Sequence, residues 1–133
     1  MNKYLLDTNV IIDFLKGKEE AVRTIKKIQN HLLHISVITV AEYNYGALKS
    51  EKIKETLGLF TDFCERAQIT VVSIDRLVAE MFAQIQARLS KKGRLRPVFD
   101  LLIASTCIVN GLILVTKNKK DFIEIERLKV MKD

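Results

Sequence analysis

Four acidic residues stand where a carboxylate could do chemistry. Asp7 stops the apolar run in "KYLLDTN", Glu42 follows the β-branched run "HISVIT" by a few residues, Asp100 opens the apolar stretch "DLLIASTCIV", and Asp121 comes shortly after "LILVT". Carboxylates gathered without a matching histidine or cysteine set suit a hard divalent cation, Mg²⁺ or Mn²⁺. Zinc is poorly supported, because the histidines are only His31 and His34, which flank the start of the second apolar run and read as surface residues of a helix-to-strand turn. Cys64 and Cys107 each fall inside an apolar helical pattern, as small buried hydrophobes do, and a reducing compartment suits them. "GKEE" and "KKGR" lack the spacing of a phosphate-cradling glycine loop.

Each acid also has an ordinary structural explanation. Asp7 or Asn9 would cap a helix starting at Val10. Thr39 and Glu42 have the spacing of a capping box. Asp121, three residues after Asn118, would close a short turn. Asp100 is harder to explain this way. The helix behind it is apolar on nearly all sides, and a carboxylate near such a core has to be protonated, paired or metal-bound, with the helix N-terminus compensating only in part. Asp75 reads as a cap, and Asp13 as a supporting or solvent-facing residue.

The elements that must position these acids alternate. "KYLL" reads as a strand, followed by a helix through "VIIDFLKG" that stops at Gly17. "EEAVRTIKKIQN" is amphipathic, "HISVI" reads as a second strand, and the pattern turns helical after Thr39. Ile53, Leu57, Phe60 and Cys64 mark another helix, "ITVVSI" a third strand, and "DRLVAEMFAQIQARLSKKG" a long helix stopped by Gly93. "FDLLIASTCIVNG" is a buried helix, "LILVT" a fourth strand, and "ERLKVMK" a candidate short fifth. Alternation of this kind predicts an α/β fold, a parallel sheet of four to five strands between two helical layers. Such sheets bind ligands beyond the carboxyl ends of their strands, where the acids lie.

The 133 residues fit one domain, 1–133. No apolar run approaches the ~20 residues of a membrane span, and the start lacks the layout of a signal peptide, so a cytoplasmic location is expected. Twenty-two Lys and Arg against 16 Asp and Glu give a net charge of +6, which favours an anionic partner, nucleic acid first. The cations cluster at Arg88, Lys91, Lys92, Arg94 and Arg96 and again at Lys117, Lys119 and Lys120. Taken alone, either cluster reads as a solvated loop.

Together "LLDTNVIID", "ISVITVAEYNYGA", "RPVFDLLIAS" and "LILVTKNKKDF", in this order across nearly the whole chain, resemble the PIN-domain family, and within it the VapC-type toxins of toxin–antitoxin pairs. The resemblance implies a three-layer α/β/α fold and an acidic Mg²⁺ site, with Mn²⁺ a possible substitute, that hydrolyses RNA to 5′-phosphate and 3′-hydroxyl ends. Asp7, Glu42 and Asp100 match the family's three most regular acids. The fourth falls at or near Asn118 or Asp121, and Asp121 is the choice here, with Asn118 as an orienting amide. Thr8, Asn9 and Thr116 sit where the family has polar groups that steady the carboxylates. Lys91, Lys92, Arg94, Arg96, Lys117, Lys119 and Lys120 would then rim the pocket and bind RNA. A VapB-type antitoxin and a toxin homodimer are further implications, served by apolar residues such as Tyr43, Tyr45, Leu48 and Phe60, for which core packing is an equally good reading. The rivals are a degenerate PIN scaffold that binds RNA or protein without cutting, a phosphoacceptor receiver domain, which "DTN" and "SIDR" fit poorly, and a DNA nuclease.

Overall fold

The computed structural model describes residues 1–132. Four parallel strands, β1 (Lys3–Leu6), β2 (Leu32–Ser36), β3 (Thr70–Val72) and β4 (Ile113–Val115), lie in the order β3-β2-β1-β4. β1 is interior, and its Leu5 and Leu6 are fully buried although they point to opposite faces. Side-chain alternation along the strands divides the core in two. Tyr4, Leu6, Leu33, Ile35 and Val115 pack on one face, under α1 (Thr8–Leu15), α2 (Glu19–Ile28), α3 (Val37–Leu48) and α4 (Ile53–Arg66). Leu5 and Leu114 pack on the other, under α5 (Arg76–Lys91) and α6 (Val98–Asn110). The result is the expected three-layer arrangement.

Several expected boundaries move, each for a local reason. β2 ends at Ser36, whose hydroxyl accepts from the Ile38 N–H and caps α3, so the helix starts at Val37. Val37 and Ile38, which carry the β-branched signal of a strand, are already helical. The Thr39–Glu42 capping box is therefore absent: Thr39 lies in the first turn of α3 and is fully buried. His34 stands inside β2 with Nδ1 hydrogen-bonded to the Tyr4 carbonyl, and only His31 occupies the turn. β3, at the sheet edge, keeps three residues of "ITVVSI". "ERLKVMK" contributes a single parallel bridge, Leu114 to Val130, beside β4. Gly17, Gly93 and Gly111 follow helices with φ of +76°, +66° and +65°, the left-handed turn that glycine adopts without penalty. Asp75 caps α5 by accepting from the Val78 N–H at 3.0 Å.

Candidate metal centre

The parallel sheet puts the carboxyl ends of all four strands on one edge, and the acids are delivered there by the residues that follow. β1 and β4 pair with Leu6 opposite Val115, which places Asp7 and Thr116 side by side as each strand ends. The Asp7 N–H donates to the Val115 carbonyl at 2.9 Å, so the backbone turns away from the sheet at a fixed point. α3 brings Glu42, the first turn of α6 brings Asp100, and a 3₁₀ turn after β4 (Lys119–Phe122) brings Asp121.

Asp7 is 7% exposed and is the N-cap residue of α1, so the capping expected of it and its place at the sheet edge coexist. Oδ1 accepts from the adjacent Thr8 N–H at 2.9 Å, and Oδ2 from the Thr116 hydroxyl at 2.8 Å. Burial pushes its carboxyl above the ordinary range; the bonds from Thr116 and Thr8 pull back, and repulsion from Glu42 and Asp121 pushes it further up. Asp100 is also raised, first by burial, then by Asp7 and Asp121, with Arg96 opposing and Glu42 adding. Asp7 and Asp100 therefore each feel the other acids through short range. Four carboxylates converge, and without a cation they repel.

Their supports are threonines. The Thr8 hydroxyl donates to Glu42 Oε1 at 2.6 Å and lies 2.9 Å from the Thr39 hydroxyl. A hydroxyl has one hydrogen, so with Thr8 donating to Glu42 it is Thr39 that donates to Thr8. Thr39 was hidden in the sequence by its resemblance to a cap; only its polarity inside an apolar run marks it. Thr116 accepts from the Asn118 N–H at 3.1 Å, so Asn118 orients the site through its backbone rather than its side-chain amide. Asn9 is exposed and, among the described residues, hydrogen-bonds to none of the acids, which corrects its expected steadying role.

The basic rim also differs from expectation. Arg96 donates to Asp121 Oδ1 at 2.8 Å, Arg94 to Glu124 at 2.6 Å, and Lys92 lies 4.0 Å from Glu126. Three of the cations expected to meet RNA thus fasten the segment before α6 to the tail after β4. Arg96 Nε is the single buried side-chain polar atom without a hydrogen-bond partner among the described residues. Lys117 donates to Asp13 at 2.8 Å, and Lys18 lies 3.4 Å from the same carboxylate, so Asp13 joins two lysines instead of facing solvent alone. Of the apolar residues expected after Glu42, Tyr43 and Phe60 are buried and stacked with centroids 4.5 Å apart, whereas Tyr45 and Leu48 are 65% and 61% exposed.

A divalent cation fits this donor set. Asp7, Glu42, Asp100 and Asp121 are all hard oxygen donors, and a cation would relieve the repulsion that raises Asp7 and Asp100. Among the described residues no group of three or more acidic, histidine or cysteine side chains stands close enough to hold a metal ion without rearrangement. Asp121 is held by Arg96 through Oδ1, which leaves Oδ2 as the oxygen it could offer a cation while the ion pair stays closed.

The PIN-domain family model matches residues 4–128. A tRNA(fMet)-specific endonuclease VapC of Shigella flexneri is 36% identical over 122 residues, covering 92% of this chain and 91% of that protein. Among solved structures, DNA-bound VapBC from Salmonella typhimurium superposes with a TM-score of 0.87 at 32% identity, covering 98% of both chains. VapBC2 of Rickettsia felis, bound to a DNA fragment from its promoter, superposes with a TM-score of 0.88 at 27% identity over 97% of both chains.

Proposed function

The chain belongs to the PIN-domain family, and on that premise we propose that it is a divalent-cation-dependent endoribonuclease, the toxin of a toxin–antitoxin pair, with Mg²⁺ as the working ion. One observation carries the reading: Asp7 and Asp100 share one edge of the sheet and each feels repulsion from Glu42 and Asp121, an arrangement whose natural complement is a cation. The relatives add support, since the Shigella protein is named a tRNA endonuclease and the superposed structures are VapBC complexes. A VapB-type antitoxin is accordingly the expected partner, and a homodimer the expected toxin assembly. Residues 1–133 are read as one catalytic domain. Two free cysteines suit a reducing cytoplasm, where the RNA is, and no helix among the described residues is long and apolar enough to cross a membrane.

A cation held by the four acids would stabilise charge building on the scissile phosphate and make water a better nucleophile at neutral pH. The chain's own residues set the stage. The Thr116 hydroxyl and Thr8 N–H fix both oxygens of Asp7, and the Thr8 hydroxyl fixes Glu42. Asp100, whose carboxylate accepts no hydrogen bond among the described residues, is left to accept one from the attacking water. Water loses a proton to Asp100 as its oxygen bonds to phosphorus, the P–O3′ bond breaks, the departing 3′ oxygen takes a proton from solvent, and the products carry 5′-phosphate and 3′-hydroxyl ends. The ribose 2′-hydroxyl takes no part as nucleophile, so preference for RNA arises from shape and single-strand contacts.

The test is to incubate the antitoxin-free protein with total cellular RNA, in Mg²⁺ or in EDTA, beside Asp100→Asn, and to map new 5′-phosphate ends. Discrete ends that require both Mg²⁺ and Asp100 are expected. Folded protein that yields none would favour a scaffold that binds without cutting.

A further inference from the structure

Next to the acids, on the α1–α2 side of the sheet, lies a cavity of about 240 Å³. Its floor is apolar, with Val10, Ala21, Val115 and Met131, and five lysines stand around it, Lys18, Lys27, Lys117, Lys119 and Lys132, against the acids Asp13 and Glu20. Thr116, which donates to Asp7, also lines it, so the cavity and the acidic centre share a wall. Asp13 binds Lys117 at 2.8 Å and Lys18 at 3.4 Å with its side chain only 14% exposed, and this bridge holds two like charges side by side at the mouth. Lys27 forms no ion pair among the described residues. On the opposite side of the acids, three cations of the 92–96 segment are occupied by Asp121, Glu124 and Glu126. Around the cavity five lysines face two acids, so an excess of positive charge lies on the α1–α2 side.

We propose that this cavity is a nucleotide subsite for the RNA strand adjoining the scissile phosphate, with Lys18 and Lys27 contacting backbone phosphate and the apolar floor receiving ribose and base. The inference rests on the ribonuclease reading above and gives it a direction, since the strand leaves the acids past Thr116 towards α2. Neither Lys18 nor Lys27 belongs to the two basic clusters that stand out in the sequence, since they stand at opposite ends of α2, Lys18 as its N-cap and Lys27 in its last turn.

The probe is a 5′-fluorescein 12-nucleotide oligouridylate, titrated by anisotropy against full-length Asp100→Asn protein, which binds without cutting, over a range of salt. Adding Lys18→Gln and Lys27→Gln together is expected to weaken binding about tenfold, and to lower the slope of log affinity against log salt by about 1.4, the release expected for two lysines on a single strand. Lys54→Gln, on α4 and outside the cavity, is the charge-matched control and should lower neither by more than a small fraction of this. If the double variant binds with the affinity and slope of the control while the parent binds RNA, the subsite is refuted and the ribonuclease reading stands. If the Asp100→Asn parent binds no RNA at any salt and the wild-type protein cuts none, both fall together.

Discussion

The Thr8 hydroxyl sits between a charge and a buried neighbour, and Thr8→Val removes it with almost no change of shape. Two losses follow. Glu42 loses a 2.6 Å donor, and Thr39, fully buried, loses the acceptor of its own hydroxyl. A hydrogen bond to a charged group contributes about 1.5–3 kcal/mol, and a buried donor left without an acceptor costs about 1–3 kcal/mol. Glu42 is only partly buried and recovers some of its loss from water, so the net expectation is about 2–3 kcal/mol. At this chain length that corresponds to a melting temperature lower by roughly 6–12 °C. Thr39→Val should cost about 1 kcal/mol or less, because Thr8 keeps its bond to Glu42. The double variant strands no hydroxyl and should be no less stable than Thr8→Val alone, a non-additivity that a double-mutant cycle reads directly. Denaturant unfolding in EDTA gives the stabilities, and single-turnover RNA cleavage should show a loss of about tenfold or more as Glu42 is released. Thr8→Val within about 0.5 kcal/mol of wild type and with undiminished cleavage would refute the reasoning.

The acids also set a pH dependence. Asp7 and Asp100 are raised above their ordinary value of 3.8 by burial and by repulsion from neighbouring acids, so the folded protein binds their protons more tightly than the unfolded chain does. The stability this confers is complete below 3.8 and is lost as the pH rises through the folded values. Melting curves in EDTA should show it, with a smaller decline in Asp100→Asn; an unchanged decline in that variant would mean Asp100 is not part of the strain. Asp13 works the other way, held low chiefly by the hydrogen bond from Lys117, and its contribution is present above 3.8 and lost as the pH falls. Arg96→Gln takes a positive charge out of the pocket and frees Asp121, so Mg²⁺ affinity measured by calorimetry should rise severalfold; a weaker affinity would show that the guanidinium positions Asp121 for the cation instead.

The acidic centre was legible in the sequence because a parallel sheet obliges the residues after its strands to meet, and Asp7, Asp100 and Asp121 each follow or precede an unmistakable apolar run. Glu42 was legible from its place after the second strand, but the helix that carries it starts earlier than the sequence pattern suggests. β-branched Val37 and Ile38 extend the apparent strand, and only the Ser36 cap, competing with it, starts the helix early enough to bury Thr39 beneath Thr8. Hydrogen bonds that join residues 31 and 109 positions apart, Thr8 to Thr39 and Asp7 to Thr116, leave no spacing to read. The same holds for the cations. Local density singled out residues 91–96, but Glu124, Glu126 and Asp121 reach back from the tail and neutralise three of them. Lys18 and Lys27 pass unnoticed in the sequence because helix α2 has to fold back on α1 before they face a cavity.

The measurement closest to the central claim is Mn²⁺ binding to the purified chain, followed by electron paramagnetic resonance in the absence of RNA, for wild type and for Asp7→Asn, Glu42→Gln, Asp100→Asn and Asp121→Asn. One shared centre predicts that the wild type binds and that folded Asp7→Asn and Asp100→Asn variants each lose affinity by about tenfold or more, with Glu42→Gln and Asp121→Asn also weakened. Undiminished Mn²⁺ binding in Asp7→Asn and Asp100→Asn would contradict it, and the acids at the sheet edge would then be something other than a metal centre.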